Sequence, residues 1–577
     1  MNKDDVKKAG VKELDAILIE VMKNELISIG EDMGITLKRT ARSLAAQTGD
    51  FSTSITDEEG RILAQGFAIG LQIGYVTGVM PLVLDKFRGK LVPGDIVISN
   101  DPYGGASHLP DLILVAPIFW EVEVAGYVVV VLHHSDIGGR FPGGTGIKCT
   151  NIYEEGLRLP TVKLYRGGVP DEAVFDIAAA NVRTPDEVVG DLQAQAAACQ
   201  RGVQGFTRLL EKYGRATIEQ CNEQLRTYSE RMIRKGIAEL PDGEWSAEEF
   251  FEDDGMGGAG LLLCAKVRVH GDEVEVDFSG SAGQVPIAIN VPYNLTAACA
   301  YISLISIFAG QAPINAGLLR PVSVTVPCGS LLNPIFPAAV GARGMVMWRI
   351  IDLIYAAMAQ AAPGKVFAGS DGGVNTLLFQ PDKREGDRRM NTRDVFASGW
   401  GARPNQDGVE GVVPMALGGL FRSISAEMLE QISPVMLEGC GFVADTGGAG
   451  KFRGALSVYR KYRFLSDGLI IVRNCRVTSV PKGLEGGRDG TRSSVVLTSG
   501  GVDKELPLES MVDMRVKEGD VLMFIQPGAA GYGDPAQRDR RRVIEDILDE
   551  KITMQYALAT YGVSMDDPVP AAVPVAA

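Results

Sequence analysis

Two stretches, NDPYGGASHLPDLILVAPIFW (residues 100–120) and GYVVVVLHHSDIGGR (residues 126–140), decide the fold around them. Each joins a run of apolar, largely β-branched residues to histidine and aspartate at one end. Such runs, bounded by glycine and proline, are typical of buried strands. A hairpin turning near residues 124–126 returns the end of the second strand to the start of the first. The sequence therefore predicts a sheet with imidazole and carboxylate groups gathered at one end.

Histidine is rare in this chain, and its distribution is uneven. Of the four histidines, three lie between residues 108 and 134, and three aspartates accompany them. The six residues are Asp101, His108, Asp111, His133, His134 and Asp136. Imidazole and carboxylate are the ligands that suit zinc, manganese or ferrous iron, so the cluster predicts a divalent metal site. The alternative is a set of ordinary polar residues in a glycine-rich loop. His270, in a predicted hairpin turn, is expected to be exposed.

The adjacent pair His133 and His134 cannot supply two ligands from one strand. Neighbouring side chains of a strand point to opposite faces of the sheet. One of the two is therefore expected to orient a neighbour, donate a hydrogen bond or pack, unless the strand has already ended. The sequence alone leaves open which one it is.

Outward from the hairpin, helical and strand patterns alternate in long blocks. Apolar spacing predicts a helix over 12–45, strands over 51–169, and helices from 184 to 213 and on to 240. Thr184, Pro185 and Glu187 form an N-terminal signature, and Gly214 a stop. Further on, a hairpin is predicted at 270–272, helices at 292–311 and 345–362, strands over 410–530, and a helix over 540–562.

These elements predict an α+β protein with mixed, mostly antiparallel sheets, long flanking helices and several lobes. We place an N-terminal metal-binding α+β lobe at 1–240, with its helical block at 184–240. A β-rich central and C-terminal lobe follows at 241–540. Residues 541–577 would form a closing helix and a disordered tail, since the last residues, PVPAAVPVAA, lack the means to build a core.

Composition and charge exclude several classes of function. The formal net charge of −15 repels a phosphate backbone, and the cluster Arg538–Arg542 is interpreted as a solvated helix face, so nucleic acid is not an expected partner. The charged N-terminus is unlike a secretory signal, and the apolar runs are too short to span a membrane. Eight scattered cysteines without a C-x-x-C pair suit reduced thiols, which predicts a cytoplasmic location.

Two glycine-rich runs are weaker indications. Residues 138–146 could cradle an anion, but no helix clearly follows them, so a loop beside an active site is the commoner interpretation. Residues 447–451 resemble part of a phosphate loop, yet Phe452 stands where serine or threonine is required. The sequence thus predicts that this chain does not bind ATP itself. There is also no G-x-S-x-G elbow for a serine nucleophile.

Six segments together resemble the hydantoinase B/oxoprolinase family, in that family's order from about residue 12 to residue 562. They are NDPYGGASHLPDLILVAPIF (100–119), HHSDIGGR (133–140), EEGLRLPTVKLYRGG (154–168), FPAAVGARG (336–344), TGGAGKFRGALSVYRKYRFL (446–465) and PGAAGYGDP (527–535). The family includes the hydantoinase B components of N-methylhydantoinases, 5-oxoprolinases, the beta subunit of caprolactamase, and subunits of acetone and acetophenone carboxylases.

The resemblance implies a metal site at Asp50, His108, Asp111 and His133, of which Asp50 has no support from the local spacing. It implies a hydantoinase A-type partner that binds ATP-Mg and phosphorylates the amide oxygen, in an (αβ)2 assembly. Zinc is the expected ion, with manganese or iron as alternatives. Gly49 departs from the family's usual S-D-F-S segment, although the aspartate is kept. The segment VVPMALGGLFR (412–422) is more apolar than the family pattern, which would suit a ring of methylenes.

The resemblance therefore predicts ATP-dependent hydrolysis of a carbon–nitrogen bond in a cyclic amide such as caprolactam, 5-oxoproline or a hydantoin. Asp136 and His134 are the candidate proton relays, and Asp101 a candidate orienting group. The main alternative is an ATP-dependent ketone carboxylase that uses bicarbonate, and bicarbonate could also take part in a lactamase. A third hypothesis is a scaffold whose metal only stabilises the fold, but structural zinc sites favour closed, cysteine-rich shells.

Overall fold

The computed structural model describes residues 14–66, 69–252, 260–382, 392–417, 422–507 and 511–564. In this part of the chain, eleven α-helices alternate with twenty strands. The helices are α1 (Ala16–Thr40), α2 (Leu44–Thr48), α3 (Ile73–Phe87), α4 (Glu172–Ala180), α5 (Pro185–Tyr213), α6 (Arg215–Ile237), α7 (Tyr293–Phe308), α8 (Gly344–Ala359), α9 (Ala426–Ile432), α10 (Arg540–Leu548) and α11 (Met554–Tyr561).

The strands form four sheets. They are β1 (Phe51–Thr56), β2 (Ile62–Gln65), β3 (Ile96–Ser99), β4 (Asp111–Trp120), β5 (Glu123–His133), β6 (Val162–Arg166), β7 (Val169–Pro170), β8 (Gly243–Phe251), β9 (Leu261–His270), β10 (Glu273–Asp277), β11 (Val322–Thr325), β12 (Asn375–Pro381), β13 (Thr392–Phe396), β14 (Val435–Val443), β15 (Ser457–Phe464), β16 (Gly468–Arg473), β17 (Ser494–Ser499), β18 (Val502–Glu505), β19 (Met511–Val516) and β20 (Val521–Ile525).

The largest sheet has the order β2-β1-β5-β4-β3-β6-β7, and all its neighbouring strands run antiparallel. The others are β11-β10-β9-β8, β13-β12-β16-β19 and β14-β15-β20-β17-β18. Only the β10–β11 pair among these described strands is parallel. The predicted fold class, α+β with mixed and mostly antiparallel sheets, is confirmed.

The interior strand β5 is buried on both faces, which explains its unbroken apolar sequence. Val128, Val130 and Leu132 pack into a core that includes α1 and α5. Val129 and Val131 pack into a second core that includes α3, α7 and α8. Each such buried side chain stabilises the fold by about 1.5–3 kcal/mol. The strand is therefore held firmly in place, and so is His133 at its end.

The predicted hairpin is confirmed, but its turn lies earlier than expected. β4 and β5 pair from Trp120 opposite Glu123 down to Asp111 opposite His133. The turn is therefore at Glu121 and Val122, and Glu121 has a φ of 56°. The segment 124–126, predicted as the turn, already belongs to β5. Its glycine makes it resemble a turn, yet Gly126 lies against the backbone of Thr56 on β1.

The helix predicted over 12–45 ends at Thr40, and residues 12–13 lie outside the described residues. Asp191 of α5 causes the helix to end there. Its buried carboxylate accepts hydrogen bonds from the backbone N–H groups of Arg42 and Ser43, at 2.6 and 3.1 Å. Ser43 then caps α2 by accepting from the N–H of Ala46. A tertiary contact thus replaces the helical hydrogen bonds.

The strand prediction for 73–87 is wrong, because these residues form α3. Their β-branched residues suggest a strand, but the buried positions Ile73, Val76, Val79 and Val83 recur at helical spacing. The helix of 540–562 is also divided, into α10 and α11. Thr553 caps α11 by accepting from the N–H of Tyr556, and Glu550 has a φ of 57° between the two helices.

The other predicted helices are confirmed to within a few residues. α5 follows Thr184 and ends before Gly214 as expected, although the Thr184 hydroxyl makes no cap hydrogen bond. The tail at 565–577 lies outside the described residues, and the lobe boundaries stay a prediction. One buried core spans the proposed boundary at residue 240, since it contains Ile62 and Leu353 alike. Within the described part of the chain, no helix has the length and apolarity needed to cross a bilayer.

Candidate metal centre

Three neighbouring strand ends bring together residues that are distant in sequence. Asp111 opens β4 directly opposite His133, the last residue of β5. On the other side of β5, the N–H of His133 donates to the carbonyl of Asp50, 3.0 Å away, just before β1 begins. Opposite residues of an antiparallel pair project from the same face. The register therefore places Asp50, His133 and Asp111 side by side.

His108 completes the arrangement from the loop that precedes β4. Its Nε2 lies 3.1 Å from His133 Nδ1 and 3.1 Å from Asp111 Oδ1. The third distance, His133 Nδ1 to Asp111 Oδ1, is also 3.1 Å. Ligand atoms about 2.0–2.1 Å from a tetrahedral zinc lie about 3.3 Å apart, so this triangle fits one face of such a site. All three side chains are buried.

The imidazole of His108 is oriented by the backbone. Its Nδ1 lies 3.3 Å from the carbonyl of Gly341, a bond in which Nδ1 donates and Nε2 keeps its lone pair. The segment that supplies this carbonyl is held in turn by Glu155. Its Oε1 accepts from the N–H groups of Val340 and Gly341, at 2.7 and 2.6 Å. Glu155 thus positions a candidate ligand through the backbone.

The two carboxylate oxygens of Asp111 have different partners. Oδ1 faces the imidazoles, whereas Oδ2 accepts from Tyr75 at 2.8 Å, Ser107 at 2.7 Å and Arg343 at 3.2 Å. These bonds fix the rotation of the carboxylate, as groups behind metal ligands commonly do. The sequence singles out neither Tyr75 nor Ser107, because a lone tyrosine on an apolar stretch carries no local mark of such a role.

Burial and neighbouring charge set the ionisation of the ligands. Burial, followed by the Arg343 cation, lowers the pKa of His108 to about 3, so its imidazole is neutral. For Asp111, burial opposes ionisation. The hydrogen bond from His133 and the Arg343 cation outweigh it and hold the pKa of Asp111 well below its usual range. Neutral imidazole and ionised carboxylate are the forms that bind a metal ion.

The triad forms part of the wall of a cavity of about 110 Å³. Much of the remaining wall is apolar, contributed by Ile69, Leu71, Leu295, Met345, Met347, Trp348, Val374, Val395 and Leu417. The start of α8 and the sheet β13-β12-β16-β19 enclose the cavity opposite the strand ends. A small, mostly apolar ligand would fit with one polar end at the triad. Of the apolar segment 412–422, Leu417 reaches this wall, and 418–421 lie outside the described residues.

Asp50, which the resemblance implies as a metal ligand, also lines this cavity. Among the described residues, the set whose donor atoms all lie within 4.8 Å of one another contains His108, Asp111 and His133 but not Asp50. The residues present therefore fit a divalent ion through two imidazole nitrogens and one carboxylate oxygen. Asp50 stands on the adjacent wall, and its role as a fourth ligand stays a prediction.

The expected contrast between the adjacent histidines is observed. His133 faces the cavity, whereas His134 points to the opposite face, where its Nε2 lies 2.9 Å from Oε1 of Gln195 on α5. Asp136 pairs with Arg183 at 3.0 Å and accepts from the Arg183 N–H at 2.6 Å. Neither His134 nor Asp136 is among the residues of the cavity wall. Their relay role stays a prediction, and these contacts favour a supporting role.

Two further sequence predictions concern residues outside the cavity. Asp101 accepts from the N–H of Tyr103 at 3.1 Å and so caps a short 3-10 turn, Pro102–Gly104, in the loop that leads to the triad. It does not contact a candidate ligand. His270 is 96% exposed in the β9–β10 hairpin, as expected. The run 447–451 leads through a loop into β15 rather than into a helix, so it lacks the context of a phosphate loop.

Tyr75→Phe is expected to weaken metal binding about 10–100-fold, because Asp111 loses one of the bonds that hold its carboxylate. The measurement is competition with a chromophoric chelator. Tyr165→Phe provides the control, since Tyr165 lies in the same sheet on β6 and packs edge-on against Phe175, away from the cavity. Equal metal affinity of Tyr75→Phe and the wild type would contradict this role for Tyr75.

Glu155 predicts a pH dependence of stability. Burial raises the pKa of Glu155 to about 8, opposed mainly by the two backbone bonds. Its usual value is 4.5, so the stabilisation is complete below about pH 4.5 and is lost as the pH rises through 8. Glu155→Gln should remove this decline, on the order of 3–5 kcal/mol. Urea unfolding from pH 5 to 8.5 measures it, with exposed Glu505→Gln as control. An unchanged slope in Glu155→Gln would refute the assignment.

The chain is similar to known proteins over nearly its whole length. The family model for hydantoinase B/oxoprolinase matches residues 15–535. The B component of a putative D-/L-hydantoinase from Pseudomonas sp. (strain NS671) is 32% identical over 576 residues, covering 96% of each chain. The crystal structure of the ATP-dependent caprolactamase from Pseudomonas jessenii superposes with a TM-score of 0.87 at 28% identity, covering 97% of this chain and 98% of that one.

A nucleotide-free structure of acetone carboxylase shares the fold, with a TM-score of 0.85. Its identity is 18%, over 97% of this chain and 81% of that one, so the likeness concerns the fold alone. The family match covers most of the chain, and it includes every strand end that carries a candidate ligand. With the sequence blocks and the fold in agreement, this chain belongs to the hydantoinase B/oxoprolinase family.

Proposed function

We propose that this chain is the metal-binding subunit of a two-subunit, ATP-dependent enzyme that hydrolyses a cyclic amide. The observation that carries the proposal is the triangle of His108 Nε2, Asp111 Oδ1 and His133 Nδ1 on the wall of a mostly apolar cavity. Relatives support the reaction class, since they are named as the B component of a hydantoinase and as an ATP-dependent caprolactamase. Zinc is the proposed ion, and Asp50 the proposed fourth ligand.

The chain's own residues would bind and orient the substrate. Apolar side chains such as Leu71, Trp348 and Val395 would contact the ring methylenes and exclude water. Tyr75 and Ser107 hold Asp111, and Gly341 holds His108, so the donor atoms stay in place without substrate. A divalent ion there would supply Lewis acidity toward an oxygen of the activated amide. We assign ATP-Mg and the phosphorylation step to a hydantoinase A-type partner, in an (αβ)2 assembly in the cytoplasm.

The test is turnover of a lactam and hydantoin panel by this chain co-expressed with its partner subunit, with and without ATP. Ring-opened product that requires ATP, on a preparation with about one metal ion per chain, is the expected result. Labelled bicarbonate entering a ketone, without ring opening, would instead favour the carboxylase, to which the chain is similar in fold. Turnover unaffected by complete removal of the metal would contradict the site.

A further inference from the structure

Three guanidinium groups lie on the wall of the cavity that contains the metal triad. They belong to Arg343, Arg393 and Arg473. Arg343 immediately precedes α8, Arg393 is on β13, and Arg473 ends β16. The register of the β13-β12-β16-β19 sheet aligns Arg473 with Thr376, and Thr376 with Val395, and both of these partners also line the cavity. Three separate elements thus direct arginine toward one small space.

Among the described residues, only one of these three cations has a carboxylate partner at salt-bridge distance. Arg343 is paired with Asp111, 3.2 Å away. Within the described residues, no carboxylate oxygen lies within 4.0 Å of the guanidinium of Arg393 or Arg473. Arg473 donates to the backbone carbonyl of Thr145, and its Nε has no hydrogen-bond partner. Arg393 donates through Nη1 to His133 Nε2 at 2.7 Å, and its Nε has no partner either.

A buried cation without a partner is costly, and proteins rarely keep one without a use. Arg473 is 8% exposed. Burial, followed by the repulsion of Arg393 and Arg343, lowers the pKa of Arg473 to about 9. Arg393 is partly buried, and the carboxylates of Asp50 and Asp111 lie on the same wall. The wall thus carries three guanidinium groups against two carboxylates, an excess of positive charge that a bound anion would offset.

The metal triad increases this excess. A metal ion at Nδ1 of neutral His133 requires the proton on Nε2, and a protonated Nε2 cannot accept from Arg393. The Arg393 guanidinium would then lose this acceptor, so that Nη1 as well as Nε could donate to an anion in the cavity. The start of α8 at Gly344, on the same wall, adds the positive end of a helix dipole.

Charge and shape indicate which anion fits. A divalent ion at the triad would add to the excess of positive charge on this wall, and a phosphoryl group, which carries about −2 near neutral pH, would offset more of that excess than a carboxylate, which carries −1. Guanidinium forks bind phosphate oxygens in pairs of parallel hydrogen bonds. We infer that Arg393 and Arg473, with the start of α8, form a phosphoryl-binding site beside the metal triad. Its natural occupant, the phosphoryl group of an ATP-activated amide or the phosphate released from it, rests on the proposed function.

The test is calorimetric titration of inorganic phosphate into the full chain after metal removal, so that the ion cannot contribute. Wild type should bind phosphate in preference to acetate or bicarbonate. Arg393→Gln and Arg473→Gln should each weaken binding by about 10–100-fold, the loss expected for a charge-assisted pair. Arg515→Gln, a surface arginine on β19 that is 62% exposed, is the matched control and should bind like wild type.

Folding of the variants is checked by thermal unfolding. Because an unpaired buried charge is removed, Arg473→Gln should unfold at or above the wild-type temperature in phosphate-free buffer, and it should lose the upward shift that phosphate gives the wild type. Arg473→Lys, which keeps the charge but not the fork, is the second variant and should bind phosphate weakly. The phosphoryl site would be overturned by any of three results: phosphate binding to the wild type that does not saturate, acetate binding that is tighter than phosphate binding, or phosphate affinity that is unchanged in both glutamine variants.

Failure of this inference is separable from failure of the proposed function. Phosphate binding that depends on Arg393 and Arg473, in a protein that opens no lactam, would keep the anion site and reject the substrate class. ATP-dependent ring opening by a chain that binds no phosphate would do the reverse. The binding titration and the lactam panel are therefore performed on the same preparations.

Discussion

Replacing His133 with alanine is expected to lower metal affinity by more than about 100-fold, beyond the loss typical of groups behind the ligands. His133 Nδ1 is one corner of a triangle with 3.1 Å edges, so its loss leaves two donors where three converged. ATP-dependent ring opening by the complex should fall to the background rate, because the proposed chemistry needs the ion. Metal content by mass spectrometry and lactam turnover are measured on one preparation.

The two histidines outside the triad, His134 and His270, serve as controls for this experiment. His270→Ala removes a side chain that is 96% exposed, far from the cavity in the β9–β10 hairpin, and should change neither readout. His134→Ala removes the neighbouring imidazole, which bonds to Gln195 on the other face of the sheet. It should lower stability while the purified variant keeps its metal. A metal-free His134→Ala beside a fully loaded His133→Ala would show that the two roles are exchanged.

Arg349→Ala is expected to lower the free energy of unfolding by about 3–5 kcal/mol, the usual result of breaking a buried charge network. Arg349 on α8 is completely buried and pairs with Glu249 and Glu252. Arg476 also pairs with Glu249, at 2.9 Å. Without Arg349, Glu252 keeps no cation within 4.0 Å among the described residues. Urea unfolding at neutral pH measures the change.

The network also supports the cavity, because Trp348 and Met347 on its wall immediately precede Arg349 in α8. Arg349→Ala should therefore reduce turnover even below the unfolding transition. Arg166→Ala, which breaks an exposed pair with Asp171 at 2.7 Å, is the matched control and should cost less than about 1 kcal/mol. Equal stability of the two variants would show that the buried network contributes nothing beyond a surface pair.

The sequence by itself determined the strands that carry the site. Their unbroken apolar runs predicted β4 and β5, and the histidines at their ends predicted where polar groups would gather. Alternation along a strand predicted that His133 and His134 would diverge, as they do. Local pattern succeeded here because period-two geometry and burial on both faces leave a strand few alternatives.

Local pattern failed where a distant contact decides the conformation. Asp191 of α5 ends the first helix at Thr40 by accepting two hydrogen bonds from the backbone, and no residue near Thr40 in the sequence predicts this contact. The strand prediction over α3 gave its β-branched composition more weight than its helical spacing. Propensity is a weak influence that burial overrides, as it does for Val76 and Val79.

Some residues of the candidate site were predicted from the sequence, and others are seen only in the tertiary structure. His108, Asp111 and His133 are found from sequence because one hairpin brings them together, while Asp50 came only from the family resemblance. Tyr75, Arg343, Arg393 and Arg473 reach the cavity from helices and strands far from that hairpin in sequence. Hydrogen bonds and unpaired charges of this kind depend on distances between elements. Only the tertiary structure sets those distances, because close packing and not chain neighbourhood decides which side chains meet.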